Sequence, residues 1–339
     1  MPTDPKSALA AILPATLRDL LRGRALVLGR PVWGQRAGRH VADRAGLGHL
    51  FRAHRPYVAG DDPRLLDWRA MARHDRPMIR QTEGEEELSL IALIDRSGAM
   101  NYGEGTTHKH SYAAALIAAL AHLALRQGDR FGFACGGNGM TDIGHIRPTG
   151  GAHRLHALAL ALSPVDKEKE KEKEKMLRGV CPWGQLVLET APRLPKRALV
   201  LATSDFLDPC PAADEEQARA AEFDLWRSFA GLRARGHDVV LLQILHADEL
   251  HPPWATDDEL LRIVDPTGRR TELVGSARAL VRRYQARFAG HQRALTRHCE
   301  EHGIHLIQAQ SNTPLEDTLL ALLACLRGAP HQRARSIRR

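Results

Sequence analysis

The sequence predicts an α/β protein: a doubly wound, mainly parallel sheet flanked by helices and preceded by a β-rich N-terminal extension. Three observations carry this. Residues 88–95, 130–135, 198–205 and 237–245 are predominantly apolar runs of strand length. They lack the polar alternation of a half-exposed strand, so they read as strands buried on both faces. Helix-forming stretches stand between them, as the crossovers of a parallel sheet require. Before residue 88 the texture differs: residues 31–87 are rich in Gly, Arg and short apolar pairs without a 3.6-residue period, which predicts small strands and turns rather than a second core.

Taken in order, residues 1–30 read as a helical start, with the amphipathic LPATLRDLLRGRALVL ending near Gly29 and Pro31. The basic extension covers 31–87. LSLIALID (88–95) is the first buried strand and ends on Asp. HKHSYAAALIAALAHLALRQGD (108–129) is a helix, RFGFAC (130–135) the next strand, DIGHIRP (142–148) a short strand and HRLHALALALS (153–163) a helix. ALVLATSD (198–205) is the third long strand, residues 214–236 a helix, and HDVVLLQIL (237–245) the fourth. LLRIVDPTGRRTELV (260–274) reads as a hairpin turning at Pro266-Thr267-Gly268. A long helix over about 276–302, the strand HLIQAQ (305–310) and the helix PLEDTLLALLACLR (314–327) close an α/β domain spanning 88–327. Within it, residues 166–175 are Asp166 followed by alternating Lys and Glu. Opposite charges then attract at i,i+3 while like charges repel at i,i+4, which predicts a solvated, partly helical insertion. Residues 328–339 form a basic tail.

Composition bounds the function. With 339 residues, 43% hydrophobic and 26% charged, the chain can bury a sizeable core and is too apolar for disorder. No apolar run is long enough for a transmembrane helix, and the N-terminus has an early Asp and a broken apolar stretch, so it makes a poor signal peptide. The expectation is a cytoplasmic protein, peripheral at the inner membrane if it meets one. Cys135, Cys181, Cys210, Cys299 and Cys325 are odd in number and scattered, which favours reduced, buried thiols. The net charge of +8 belongs to the front of the chain: residues 1–80 hold 15 Lys/Arg against 7 Asp/Glu, and the remainder balances at 33 against 33. Together with the tail arginines, this basic region could meet an anionic membrane surface or nucleic acid as an alternative function, though no specific nucleic-acid motif is present.

In doubly wound sheets, polar groups at the carboxyl ends of strands converge on one crevice. Asp95 and Ser97 close the first long strand here, and Thr203, Ser204 and Asp205 the third. Two carboxylates with adjacent hydroxyls suit a hard cation such as Mg²⁺ or Mn²⁺; they also suit capping of the following turn. No GxxxxGK[ST] or G-x-S-x-G motif exists, which excludes a P-loop and a nucleophile elbow. A haloacid-dehalogenase-like phosphotransferase with Asp95 as nucleophile would need a second Asp two residues on, and Ser97 stands there. His298 and His302 flank Glu301 in an H-x-x-E-H pattern, but only Glu316 and Asp317 follow as acidic ligands.

Asp95-x-Ser97-x-Ala99 resembles a degraded form of the DxSxS metal-ion-dependent adhesion site of von Willebrand factor A domains. Arg55, Tyr57, Gly60, Asp61, Asp62, Arg64, Asp67, Trp68, Ala72 and Arg73 are similar to the R-x-Y-x-x-G-D-D-x-R-x-I-D-W-x-x-x-A-R signature of bacterial DUF58 proteins. Lys109 before an Ala-rich helix, Gly128-Asp129-Arg130 and Ser204-Asp205-Phe206 extend the likeness over roughly residues 35–325. The resemblance implies a non-enzymatic A-domain fold acting as a binding or assembly adaptor beside a MoxR-type AAA+ ATPase. It also implies a metal site on Asp95, Ser97 and Asp205. Ala99 lacks the second hydroxyl, and near Trp183-Gly184 the expected Gly-Thr is missing, leaving Gln185 or Thr190 as substitutes. The Mg²⁺ or Mn²⁺ site is thus expected to be weak or lost. Asp61, Asp62 and Asp67, with Arg55, Arg64 and Arg73 as partners, are expected to form a structural network holding the extension on the α/β domain.

Overall fold

The computed structural model describes residues 5–27, 37–58, 61–74, 76–162, 179–207, 215–253, 260–263 and 273–327. Its centre is a six-stranded sheet built from β3 (Ser89–Asp95), β4 (Arg130–Gly137), β5 (Met140–Asp142), β6 (Leu199–Ser204), β7 (Asp238–Leu245) and β10 (His305–Gln310). The spatial order is β10-β7-β6-β3-β4-β5, parallel throughout except for β5, which runs antiparallel to β4. The order reverses between β3 and β6, and at such a switch point the loops leaving neighbouring strands diverge and open a polar niche.

The apolar runs predicted as strands buried on both faces are so. Leu90, Ala92 and Ile94 of β3 point into one core with α4 (Lys109–Gln127), α5 (His153–Leu162) and α10 (Leu315–Leu326). Ile91 and Leu93 point into a second core with α6 (Trp183–Thr190), α7 (Glu215–Ala234) and the last turns of α9 (Ala277–Glu301). Helix α4 is apolar nearly all round, which suits its position inside the first core. The His108 ring accepts the Ser111 N–H at its start, and Gly128, with φ 89°, ends it in the left-handed region that a side chain would strain.

Four expectations need correction. The helical start is two short helices, α1 (Pro5–Ile12) and α2 (Ala15–Leu20), interrupted at Pro14, whose ring cannot donate a helical hydrogen bond. The pair packs into the first core through Ile12, Leu13 and Leu17. The strand expected at 142–148 is only Met140–Asp142; beyond it a lone bridge joins Thr149 to Phe131. Instead of small strands, the extension has the twenty-residue β1 (Ala37–Pro56) paired antiparallel with β2 (Met78–Glu86), its register broken at four places. Between them lies an unexpected helix, α3 (Trp68–His74). The hairpin is present as β8 (Leu260–Ile263) against β9 (Leu273–Ser276). Its turn residues, the Lys/Glu insertion, Gly60, Cys210 and the basic tail lie outside the described residues.

Candidate functional site

The niche forms because β3 and β6 are neighbours with Ile94 beside Thr203 in register, so Asp95 and Ser204 come level at the strand ends. Asp95 Oδ2 accepts a short hydrogen bond from Ser204 Oγ, and Oδ1 accepts the Ser97 N–H at 2.6 Å. Ser204 Oγ in turn accepts the Phe206 N–H at 3.1 Å. Phe206 sits at φ 50°, a strained conformation for a bulky residue. Its ring lies 5.2 Å from that of Trp183, and His291 Nε2 stands 2.5 Å from its carbonyl oxygen.

Asp205 turns the other way. Its Oδ1 accepts the Leu207 N–H at 3.1 Å, its carbonyl accepts Gln243 Nε2 at 2.7 Å, and its Oδ2 accepts Lys109 Nζ at 2.8 Å. Lys109 is the first residue of α4 and is 0% exposed. The same ammonium donates to Glu249 Oε1 at 2.7 Å. Glu249 belongs to the one-turn helix α8 (Ala247–Leu250), where its Oε2 accepts the His246 N–H at 2.7 Å in a capping box. Tyr284 Oη donates to the Glu249 carbonyl at 2.7 Å. Three elements are thereby tied together beneath the surface by one lysine.

Burial pushes the Asp95 carboxyl up to about 6, assisted by the charge of Asp205 and opposed by the hydrogen bonds from Ser204 and Ser97. Burial by itself lowers the Lys109 ammonium, but the two carboxylates outweigh it and the net shift is upward. Glu249 is also raised: for this group burial outweighs the favourable lysine.

Asp95, Ser97 and Asp205, the residues expected to hold a metal, are thus brought together at one place. They are 3%, 4% and 3% exposed and lie under the surface rather than along an open crevice. Gln185 and Thr190 do not join them. Gln185 Nε2 donates to Glu189 at 2.7 Å, and Thr190 Oγ1 donates to the Val187 carbonyl at 3.1 Å. Ala99 offers no hydroxyl. This donor set fits Mg²⁺ or Mn²⁺ poorly, because the carboxylate oxygens are already engaged by hydroxyl and amide donors and by an ammonium, whereas a small hard cation demands free oxygens in octahedral array.

The signature residues form a separate cluster. Arg55 makes two hydrogen bonds to Asp61, at 2.6 and 2.5 Å, and Asp61 also accepts the Val58 N–H. The Arg55 side-chain hydrogen bonds hold the Asp61 carboxyl down at about 2. Asp62 accepts the Arg64 N–H at the start of a 3₁₀ turn over Pro63–Leu65. Asp67 Oδ1 accepts the N–H groups of Arg69 and Ala70 at the start of α3, while Oδ2 meets His54 Nε2 at 2.8 Å. These bonds of the three aspartates close within residues 54–70, so among the described residues they brace the extension itself. Neither Arg64 nor Arg73 pairs with a carboxylate among the described residues. Tyr57 is half-buried and Trp68 is 65% exposed. His54 is a partner that the sequence reading missed: it lies 13 positions from Asp67, on the preceding strand, and leaves no local signal.

The ligand atoms of His298, Glu301 and His302 lie within 4.8 Å of one another on and just after α9, and Glu316 and Asp317 are not part of that group. The His298 ring stacks on Trp226 at 4.8 Å, a packing role that accounts for its half-burial.

Among the described residues, no helix is long and apolar enough to cross a membrane. In comparison with known proteins, residues 53–294 match the model of a family described as "Protein of unknown function DUF58". The uncharacterized proteins Rv1480 of Mycobacterium tuberculosis and Mb1516 of Mycobacterium bovis are each 31% identical over 129 residues, 38% of this chain and 38% of their own length. The chain thus spans well under two thirds of the curated relatives it matches. The matched region takes in the Arg55 to Arg73 cluster, both strand-end acids and Lys109, and on that match the chain belongs to the DUF58 family.

Proposed function

We propose that the protein is a non-enzymatic binding or assembly adaptor with a von Willebrand factor A-like domain, and that its partner is a MoxR-type AAA+ ATPase. One observation carries the reading: the polar groups gathered at the switch point are spent on one another. Asp95 accepts from Ser204 and Ser97, Asp205 from Lys109, and Glu249 from Lys109 and the His246 amide. A general acid, base or nucleophile must reach substrate, and buried, mutually bonded groups suit a scaffold that presents a fixed surface. The short antiparallel edge strand and the Asp95-x-Ser97 position at the reversal of strand order support the A-like assignment.

The acids are covered, so the docking face is the exposed loop over them, with Asn101, Tyr102 and Glu104 on the surface. Tyr102 donates to Asp248 at 2.9 Å and packs edge-on against His246, fixing this loop to α8. The test is capture of a purified MoxR-type ATPase by the immobilised protein. Tyr102→Ala and Glu104→Arg are expected to reduce capture. Full capture by both variants would remove this face from the interface.

A further inference from the structure

We infer that the Lys109 ammonium is the resident cation of Asp205, occupying the carboxylate that the family resemblance would assign to a divalent metal. The inference concerns the face discussed above but does not rest on a partner docking there.

Lysine is a poor choice for the first residue of a long helix. The partial positive charge at a helix start repels it, and acidic residues are favoured there. Burying it completely adds a large desolvation cost, which only paired and hydrogen-bonded charges offset. At Lys109 both penalties are met by geometry: Nζ lies 2.8 Å from Asp205 Oδ2 and 2.7 Å from Glu249 Oε1, on two different elements. The carboxylates come from the loop after β6 and from α8, and the cation comes from α4, so a single charge joins three parts of the chain. A divalent ion held by Asp205 would serve the same purpose, and two cations cannot share that carboxylate without strong repulsion at short range.

The remaining donors agree. Asp95 keeps both oxygens on Ser204 and Ser97, Ala99 supplies nothing, and Gln185 and Thr190 bond within their own helix. In this reading the departures from the adhesion-site motif and the buried lysine belong together: the carboxylate of Asp205 is already neutralised by an amine.

The test is titration of the full chain with MnCl₂ and MgCl₂, followed by calorimetry and by the loss of the free Mn²⁺ electron-paramagnetic signal. The wild type is expected to show no saturable binding below about 1 mM, weaker than dedicated cation sites. Lys109→Ser vacates the position and adds a hydroxyl. It is expected to gain one Mn²⁺ site at least about tenfold tighter than any wild-type binding, and to lose it again when combined with Asp205→Asn. One-to-one wild-type binding below that limit, abolished by Asp205→Asn, would overturn the inference. So would a folded Lys109→Ser variant that gains no site. Should that variant fail to fold by circular dichroism, the wild-type titration decides in the same way, and Lys109→Arg, which keeps the cation, is expected to fold and to bind no Mn²⁺. Loss of ATPase capture in the docking experiment leaves all of these outcomes unchanged, so the two readings fail separately.

Discussion

Replacing Asp95 by asparagine should stabilise the protein at neutral pH, and the gain should vanish in acid. In the fold this carboxyl titrates at about 6, against 3.8 for a free one. The native state therefore binds more protons than the unfolded chain between those two values, and stability falls as pH rises through that window and is flat above it. Taking 1.36 kcal/mol for each tenfold change in proton affinity, the ionised carboxylate costs the native state about 3 kcal/mol at pH 7 and above. An asparagine side chain would escape that cost, at the expense of the acceptor that Asp95 now gives the Ser204 hydroxyl proton. Its amide oxygen can accept the Ser97 N–H and its amide nitrogen can donate to Ser204 Oγ, an atom that already accepts from Phe206. The assay is urea denaturation of the wild type and Asp95→Asn from pH 4 to pH 8. The difference between the two removes contributions from every other titrating group that is unchanged. It should widen in favour of the variant by about 2 kcal/mol between pH 4 and pH 7 and then level off. A constant gap, or one that narrows as pH rises, would refute the assignment of a raised, buried Asp95.

Two further outcomes test the packing. Leu17→Ala, in the second N-terminal helix and 1% exposed, should cost about 2 to 5 kcal/mol by chemical denaturation, as a core leucine does; a loss under about 1 kcal/mol would detach the N-terminal helices from the core. In alkylation mapped by mass spectrometry at pH 8, Cys135 and Cys181 should stay unmodified in the native state, because burial pushes the first thiol up to about 12 and the second well up. Half-buried Cys325 should react first among the four described thiols, and labelling of Cys135 at a comparable rate would contradict the closed core.

The parallel sheet was legible because strands covered on both faces leave a signal that needs no partner: β3, β6 and β7 are runs of Leu, Ile, Val and Ala, and their bounds lie within a residue or two of those expected. The extension was not. Twenty residues of β1 contain three glycines and several register breaks, and a strand lying against only one neighbour has no continuous apolar face to announce it. Helix α3 escaped notice for a related reason: with seven residues its start depends on Asp67 capping two amides, and the Gly-Asp-Asp-Pro before it reads as turn. At the candidate site, Asp95 and Asp205 could be named from strand ends alone. Lys109 counted only as a position matching the family, and Glu249 lies 140 residues from it. The one local clue was a cation opening a helix rich in alanine and leucine, against the preference of that helix end.

The N-terminal helices have a consequence for how the chain is made. Leu26, a few residues after α2, is buried in the first core with its N–H donating to Gln127 Oε1 at 2.6 Å. Arg327 Nη2, just after α10, donates to the Ala25 carbonyl at 3.4 Å across 302 positions of sequence. Contacts so distant along the chain close late, after the intervening loops have lost their freedom. Synthesis runs from the N-terminus, so α1 and α2 leave the ribosome long before α10 does. Helix α1 finds its partners α4 and α5 earlier, but the side of α2 that meets α10 stays uncovered through that interval, in which a chaperone or a neighbouring nascent chain can compete for it.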